Sequence, residues 1–399
     1  MNISKRTDSM PYSSVRKLVP YEKEAVKQGK TVYHLNIGQP DIKTPQAFYQ
    51  AMREFNQETL AYADSRGEKS LIDAVIKYYD NIDVPLCYED IFITNGGSEG
   101  LLFTFFATMD EGDELLVPQP FYTNYNSVAK MAKIEIKPIV TLSEDGFKLP
   151  SYEEMKKLIT PKTKAFLITN PNNPTGAVYS YEELRDICNL AKEHGLYILA
   201  DEVYREFIYD DDVKHISLGT MEDVSEHVII IDSISKRYSA CGARIGILAT
   251  KNKDVQQMLM KLCQLRLAAP TLGQVGAAKL YQTPQSYLKE VNQEYKKRRD
   301  VCYECLSKID GVFCKKPLGA FYMMATLPVE DAQDFCIWLL ENFDVDGETL
   351  MMAPADGFYC NPEDGKREVR IAYVLDSEKL KKAFNILDKG LKAYNSRNN

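Results

Sequence analysis

Residues 165–204 read AFLITNPNNPTGAVYSYEELRDICNLAKEHGLYILADEVY. The stretch opens on the apolar run 165–169, passes through an amphipathic helical pattern over 180–195, and returns to an apolar run at 196–200. Short apolar strands separated by an amphipathic helix predict parallel pairing with helices packed on the sheet. Ligands of such sheets collect at the carboxyl ends of the strands. Both ends are unusual here. The first carries NPNNPTG (170–176), where two Asn-Pro pairs and a Thr-Gly confine the backbone to one rigid excursion and leave Asn173 able to donate an amide hydrogen bond. The second closes on DEVY, with Asp201, a carboxylate that is costly to bury without a cationic partner, and Tyr204 three residues on.

The same alternation extends outward. Upstream lie the helix 70–80, the strand 90–96, the helix 98–109, the strand 113–118, the helix 122–132 and the strand 133–140, with Gly, Pro or Asp at each break. Downstream comes the strand HVIIIDSISK (227–236). An early helix over about 15–28, stopped by Gly29, leads into the strand 31–38. After about Thr283 the texture changes to a long charged helix (286–309), then GAFYMMATL (319–327) and REVRIAYV (367–374), which are expected to pair in a small sheet, and two more helices. The expected division is a large α/β domain over 39–283 and a smaller α+β domain built from 1–38 and 284–399.

With 399 residues, 45% hydrophobic and 27% charged, the chain has the composition of a globular protein with a large core. A net charge of -8 argues against a nucleic-acid surface and leaves room for a local basic pocket. The polar N-terminus has no apolar signal core and no later run is long enough to span a bilayer, so a cytoplasmic location without membrane contact is expected. Nine cysteines, an odd number scattered along the chain, fit reduced thiols. Cys302 and Cys305 form a CxxC within a helical stretch, with no second CxxC or nearby His, and the four histidines are dispersed. No metal site is expected.

The segment SISKRYSACGARIG (233–246) places Lys236 among small and hydroxyl side chains at the end of an apolar strand. Burial disfavours an ammonium, and a neutral amine is what forms an imine with a carbonyl. Ser233 and Arg244 offer a neutral and a charge-assisted donor to a phosphate. GGSEG (96–100) adds free backbone amides at a helix start, through Gly97 and Ser98. A protonated ring nitrogen suits Asp201, and a phenolate oxygen suits Tyr204. A cofactor with an aldehyde, a phosphate, a phenolic oxygen and a ring nitrogen accounts for all of them. Pyridoxal phosphate is that molecule.

NPNNPTG, DEVY and SISKRYSACGARIG, in this order and spacing, resemble the class I and II aminotransferases of the aspartate aminotransferase superfamily, fold type I. The likeness runs from LNIGQPD (35–41) to REVRIAYV (367–374). It implies a large domain with a mostly parallel seven-stranded sheet flanked by helices and a smaller α+β domain. Lys236 resembles the lysine that holds pyridoxal phosphate and moves the proton at the substrate Cα. Asp201 resembles the carboxylate on the pyridine nitrogen, and Asn173 with Tyr204 the pair on the phenolic oxygen. Gly97, Ser98, Ser233 and Arg244 resemble the phosphate cradle.

Tyr122 falls where the family places the aromatic stacked on the ring, with Phe121 as its neighbouring alternative. Tyr62 resembles the tyrosine that reaches the partner subunit's phosphate, which implies a homodimer with shared active sites. Arg370 resembles the arginine that grips the substrate α-carboxylate, and Gly38 the glycine whose amide adds a contact to it; Asn173 also belongs to the substrate set. The implied reaction passes an amino group from an L-amino acid to a 2-oxo acid, 2-oxoglutarate foremost, in two half-reactions. Some aspartate-type relatives carry a lysine where this chain has Ser98, so aspartate, aromatic and other donors all stay open. Arg266 is expected in a salt bridge or in solvent, and Tyr12 at an apolar side-chain pocket. A C–S lyase or decarboxylase uses the same scaffold. A ligand-binding regulator joins this fold to a DNA-binding module, for which the first 35 or so residues leave no room.

Overall fold

Between residues 163 and 201 the expected unit is present. The strands Thr163–Thr169 and Tyr197–Asp201 flank the helix Tyr181–His194 and pair in parallel, Ala165 opposite Tyr197 and Thr169 opposite Asp201. Ser180 starts the helix by accepting from the Glu183 amide while the Glu183 carboxylate accepts from the Ser180 amide, and Gly195 ends it in the left-handed conformation. Along the first strand, Phe166 and Ile168 enter one apolar core and Ala165 and Leu167 another, so both faces of the sheet are buried. The computed structural model describes residues 12–398 together with Ile3, Asp8 and Met10.

In chain order the strands are β1 (Thr31–His34), β2 (Ile91–Thr94), β3 (Glu114–Gln119), β4 (Glu135–Val140), β5 (Thr163–Thr169), β6 (Tyr197–Asp201), β7 (Val228–Ser233) and β8 (Gly246–Thr250). After them come β9 (Phe313–Cys314), β10 (Tyr322–Thr326), β11 (Glu348–Met351), β12 (Ala353–Pro354) and β13 (Glu368–Ala372). The large sheet has seven strands in the order β2-β8-β7-β6-β5-β3-β4. Every neighbouring pair among β7, β6, β5, β3 and β4 is parallel, and β8 is antiparallel to both β7 and β2. Pro138 is tolerated within β4 because β4 is an edge.

Several elements differ from the sequence reading in position or number. The early helix spans Val19–Lys27, starting later than residue 15, because Pro20 lacks an N–H and its ring excludes a helical residue four positions back; it sits in the first turn. The strand β8 and the helices Gln46–Glu54, Lys253–Arg266 and Thr271–Leu280 are present although they were not read as elements. The link from β7 to β8 holds only the short helix Ile234–Arg237 and a turn at Cys241–Ala243, too little for a parallel crossover, so the chain returns antiparallel.

The two C-terminal segments do pair, Met324 opposite Arg370, in a second sheet ordered β12-β13-β10-β9. β1 pairs in parallel with β11, the Leu35 amide donates to the Met351 carbonyl, and the Ala372 amide donates to the Leu35 carbonyl. Leu18, Tyr33 and Leu35 share a core with Tyr295, Leu339 and Leu380. The chain near its N-terminal end is thereby fixed against the C-terminal sheet. Among the described residues, no helix is long and apolar enough to cross a membrane, and no group of three or more His, Cys, Asp or Glu is placed to hold a metal ion.

Candidate active site

The carboxyl ends of β5, β6 and β7 open onto one cavity of about 1160 Å³, closed from the other side by the second sheet and the segment around Gly38. The end of β7 and the turn after it bring Ser233 and Lys236, β6 brings Asp201 and Tyr204, and the NPNNPTG loop brings Asn173. Gly97, Ser98 and Tyr122 follow β2 and β3, Arg244 precedes β8, and Arg370 comes from β13. Tyr62 stands outside the cavity and is 81% exposed. Phe121 lies beneath it, 1% exposed and stacked on Tyr125.

Lys236 is half-buried, and its Nζ donates to the Gly38 carbonyl at 2.7 Å. That bond uses the carbonyl of Gly38, where the sequence reading looked to its amide. A side chain at Gly38 is excluded, since a Cβ there would lie 1.8 Å from the Tyr322 hydroxyl. Asp201 accepts from Tyr125 Oη at 2.5 Å, and Tyr125 lies 2.7 Å from Thr169 Oγ1. Burial pushes the Asp201 carboxyl up to about 6, against the pull of the Tyr125 hydrogen bond. The hydroxyls of Tyr204 and Tyr322 are 2.9 Å apart, and burial with Tyr322 alongside holds the Tyr204 phenol well above its ordinary range. Burial also raises Tyr122, with Lys236 opposing.

Arg370 is 2% exposed, and its polar contacts among the described residues are to an amide oxygen and a carbonyl, not to a carboxylate. Its Nη1 donates to Asn173 Oδ1 at 3.1 Å and its Nη2 to the Asn36 carbonyl at 2.5 Å; Nε is buried with no partner. The guanidinium rests between the rings of Tyr322 and Phe358, 4.5 and 5.0 Å from their centroids. A buried cation without a counter-charge, facing a cavity, is arranged for an anionic ligand. Asn173 commits its carbonyl oxygen to Arg370 and keeps its amide hydrogens available.

At the opposite end, the helix Gly97–Thr108 begins at the cavity wall, its first amides lacking intrahelical acceptors. Arg244 reaches this helix start from a left-handed turn, with φ 55° and Nη1 donating to the Cys241 carbonyl at 2.8 Å. Gly96 makes room for it: φ is +78°, and a Cβ would lie 2.2 Å from Arg244 Nη2. Ser233 Oγ is 2.9 Å from the Ile245 carbonyl and 2.8 Å from Ser235 Oγ, and Ser235 also faces the cavity. Arg266 lies outside it, paired with Glu99 at 3.2 Å and donating to the Ser65 and Ile93 carbonyls.

Tyr125, Tyr322 and Ser235 were not singled out in the sequence. Tyr125 had a signal, standing one helical turn after Tyr122, whereas Tyr322 sits in an aromatic strand where core packing is the ordinary explanation. The donor set tests well against pyridoxal phosphate: amides and a guanidinium at one end, a carboxylate and a free side-chain amide in the middle, an amine on the wall.

A family model for class I and II aminotransferases matches residues 30–387. An aspartate aminotransferase from Geobacillus stearothermophilus is 30% identical over 98% of this chain and 100% of its own. An aromatic-amino-acid aminotransferase from Thermococcus litoralis is 30% identical over 98% and 99%. Among solved structures, an alanine aminotransferase from Pyrococcus furiosus superposes with a TM-score of 0.90 at 30% identity, covering 98% of this chain and 100% of that one. The aspartate aminotransferase of Thermus thermophilus with maleate gives 0.89 at 27% identity, again over 98% and 100%.

Proposed function

We propose, for a chain that belongs to the class I and II aminotransferase family, that the cavity binds pyridoxal phosphate and one amino or 2-oxo acid at a time. The enzyme is an aminotransferase. The observation that carries the site reading is Arg370, a buried guanidinium with no carboxylate partner among the described residues, in the same cavity as Lys236 and Asp201.

In this reading the amides of Gly97 and Ser98, the hydroxyls of Ser233 and Ser235, and Arg244 hold the phosphate. Asp201 holds the proton on the ring nitrogen, Asn173 and Tyr204 bond the phenolic oxygen, and Tyr122 covers the ring face. When bound, pyridoxal phosphate supplies an electron sink that acidifies the substrate Cα–H. The Lys236 amine, tied to the Gly38 carbonyl in this structure, anchors the cofactor and moves the proton at Cα. Arg370 binds the α-carboxylate bidentately and fixes which Cα bond faces Lys236. The bulk of Tyr122, Tyr204 and Tyr322 keeps water from the reacting atoms.

The donor is an L-amino acid, and the relatives' names range over aspartate, aromatic and alanine specificities. The acceptor is 2-oxoglutarate. Arg16 and Lys130 line the cavity, are exposed, and form no ion pair among the described residues, which supplies charge for a second carboxylate. Maleate, named with the Thermus neighbour, is likewise a dicarboxylate. The donor leaves as its 2-oxo acid before the acceptor enters, a ping-pong order imposed by a single Arg370 for both. The exposed Tyr62 reaches the phosphate of a second copy in a cytoplasmic homodimer. Replacing Lys236 with Ala is expected to remove the visible absorption band and transamination together; turnover retained in that variant overturns the reading. A half-reaction screen of the twenty amino acids, following that band, identifies the donor.

A further inference from the structure

Behind the cavity, on the far side of the ends of β6 and β7, lies a connected set of buried charges. Asp232 and Arg237 are 0% and 1% exposed and paired at 2.8 Å; Glu202 and Arg205 are 1% and 5% exposed and also paired. The hydroxyl of Tyr79, 0% exposed, joins the pairs: it donates to Asp232 Oδ2 and accepts from Arg205 Nη2, each at 3.1 Å. Arg237 also stacks on Tyr78 and Arg205 on Tyr79, 4.3 and 4.6 Å from the ring centroids. Ser217 Oγ and the Leu218 amide donate to Glu202 at 2.9 Å. None of Tyr79, Glu202, Arg205, Asp232 or Arg237 lines the cavity.

The register of this set is its informative property. Glu202 follows Asp201, Arg205 follows Tyr204, Asp232 precedes Ser233 and Arg237 follows Lys236. At the ends of β6 and β7 successive side chains point to opposite faces, which sets Glu202 behind Asp201 and Asp232 behind Ser233. In the turn after β6 and the short helix Ile234–Arg237, Arg205 and Arg237 likewise stand outside the cavity that Tyr204 and Lys236 line. Asp232 additionally accepts from the Ser233 amide at 2.7 Å. Buried ion pairs rarely add stability over apolar packing of the same volume, so stability alone does not account for four charges here.

We propose that Tyr79, Glu202, Arg205, Asp232 and Arg237 are positioning residues that hold Asp201, Tyr204, Ser233 and Lys236 in mutual register, with the Tyr79 hydroxyl linking the two halves. The inference rests on the reading of those four as the cofactor site. Its test is Tyr79→Phe in the full chain loaded with pyridoxal phosphate, which removes the link while keeping the ring under Arg205. The expected outcome is a kcat lowered about tenfold with KM within about twofold, as small misplacements at a reacting centre produce. A displaced absorption maximum and weaker binding of pyridoxal phosphate, measured by fluorescence titration of the cofactor-free protein, are expected alongside.

Ser217→Ala, which loosens Glu202 from its far end, is expected to move the same quantities in the same direction, and it decides the matter alone where Tyr79→Phe does not fold. Tyr33→Phe removes a tyrosine hydroxyl that bonds Glu348 at 2.8 Å, outside both the cavity and the network, and is expected to change none of them. Parental kcat, spectrum and cofactor affinity in both test variants overturn the proposal. So does an equal loss in Tyr33→Phe. A Lys236→Ala protein that keeps its visible band overturns the reading of the site instead, so the two failures are distinct.

Discussion

In the proposed reading Asp201 serves the loaded enzyme at a cost to the empty one. Because burial raises its carboxyl to about 6, the folded protein favours the protonated form. The stability is therefore fully present below the ordinary carboxylate range and is lost as pH rises through about 6. Asp201→Asn is expected to raise the melting temperature of the cofactor-free protein at neutral pH, by on the order of 2 kcal/mol in stability once its opening onto the cavity is allowed for. The gain should shrink as the pH is lowered toward 4, and the same variant should bind pyridoxal phosphate less tightly; calorimetric melts across that pH range check the sign. Arg16→Ala should raise KM for 2-oxoglutarate about threefold to fivefold while leaving pyruvate within about 1.5-fold, the loss of one exposed charge contact. Steady-state kinetics with both acceptors separate the cases. At this scale the cavity residues were legible because they cluster at strand ends in the sequence itself. Tyr322 was not, since its partner Tyr204 lies 118 residues away along the chain, and the spacing of Tyr125 from Tyr122 does not announce its bond to Asp201, 76 residues away.

Hydrophobic period and a terminator together made Tyr181–His194 legible, with Ser180 and Gly195 at its ends, whereas Lys253–Arg266, capped by Asn252, went unread. β8 escaped because the segment before it, read for its lysine and arginine, hides the return of the chain, and all five of its residues are buried with no alternation to mark them. The turn between β2 and the helix Gly97–Thr108 is the element most sensitive to substitution. Gly96→Ala meets both the positive φ and the Arg244 guanidinium. It is expected to cost about 1–3 kcal/mol in stability and to weaken pyridoxal phosphate binding, because the arginine must move out of the cradle. Denaturant melts and cofactor titration read the two effects separately, and unchanged cofactor affinity would argue against Arg244 as a phosphate ligand.

The whole molecule presents exposed apolar side chains near Tyr62. Leu60, Tyr62, Leu265 and Leu267 are 60%, 81%, 82% and 53% exposed, and their segments are joined by Thr271 Oγ1 donating to the Ala61 carbonyl and Arg266 to the Ser65 carbonyl. Such a patch is the kind of surface an interface covers, and the proposed homodimer would cover it. Sedimentation equilibrium is expected to give twice the 45.4 kDa chain mass, and a monomer would remove Tyr62 from the proposed site. The change of texture near Thr283 and the pairing of the two C-terminal segments were legible from composition and period. The bond from Arg370 to the Asn36 carbonyl was not, because it spans 334 residues and no local pattern announces it. That bond also sets an order on synthesis. A ribosome delivers Asp201 and Lys236 before Arg370 emerges, so in the proposed reading a growing chain acquires its pyridoxal phosphate residues first and its substrate-carboxylate arginine last.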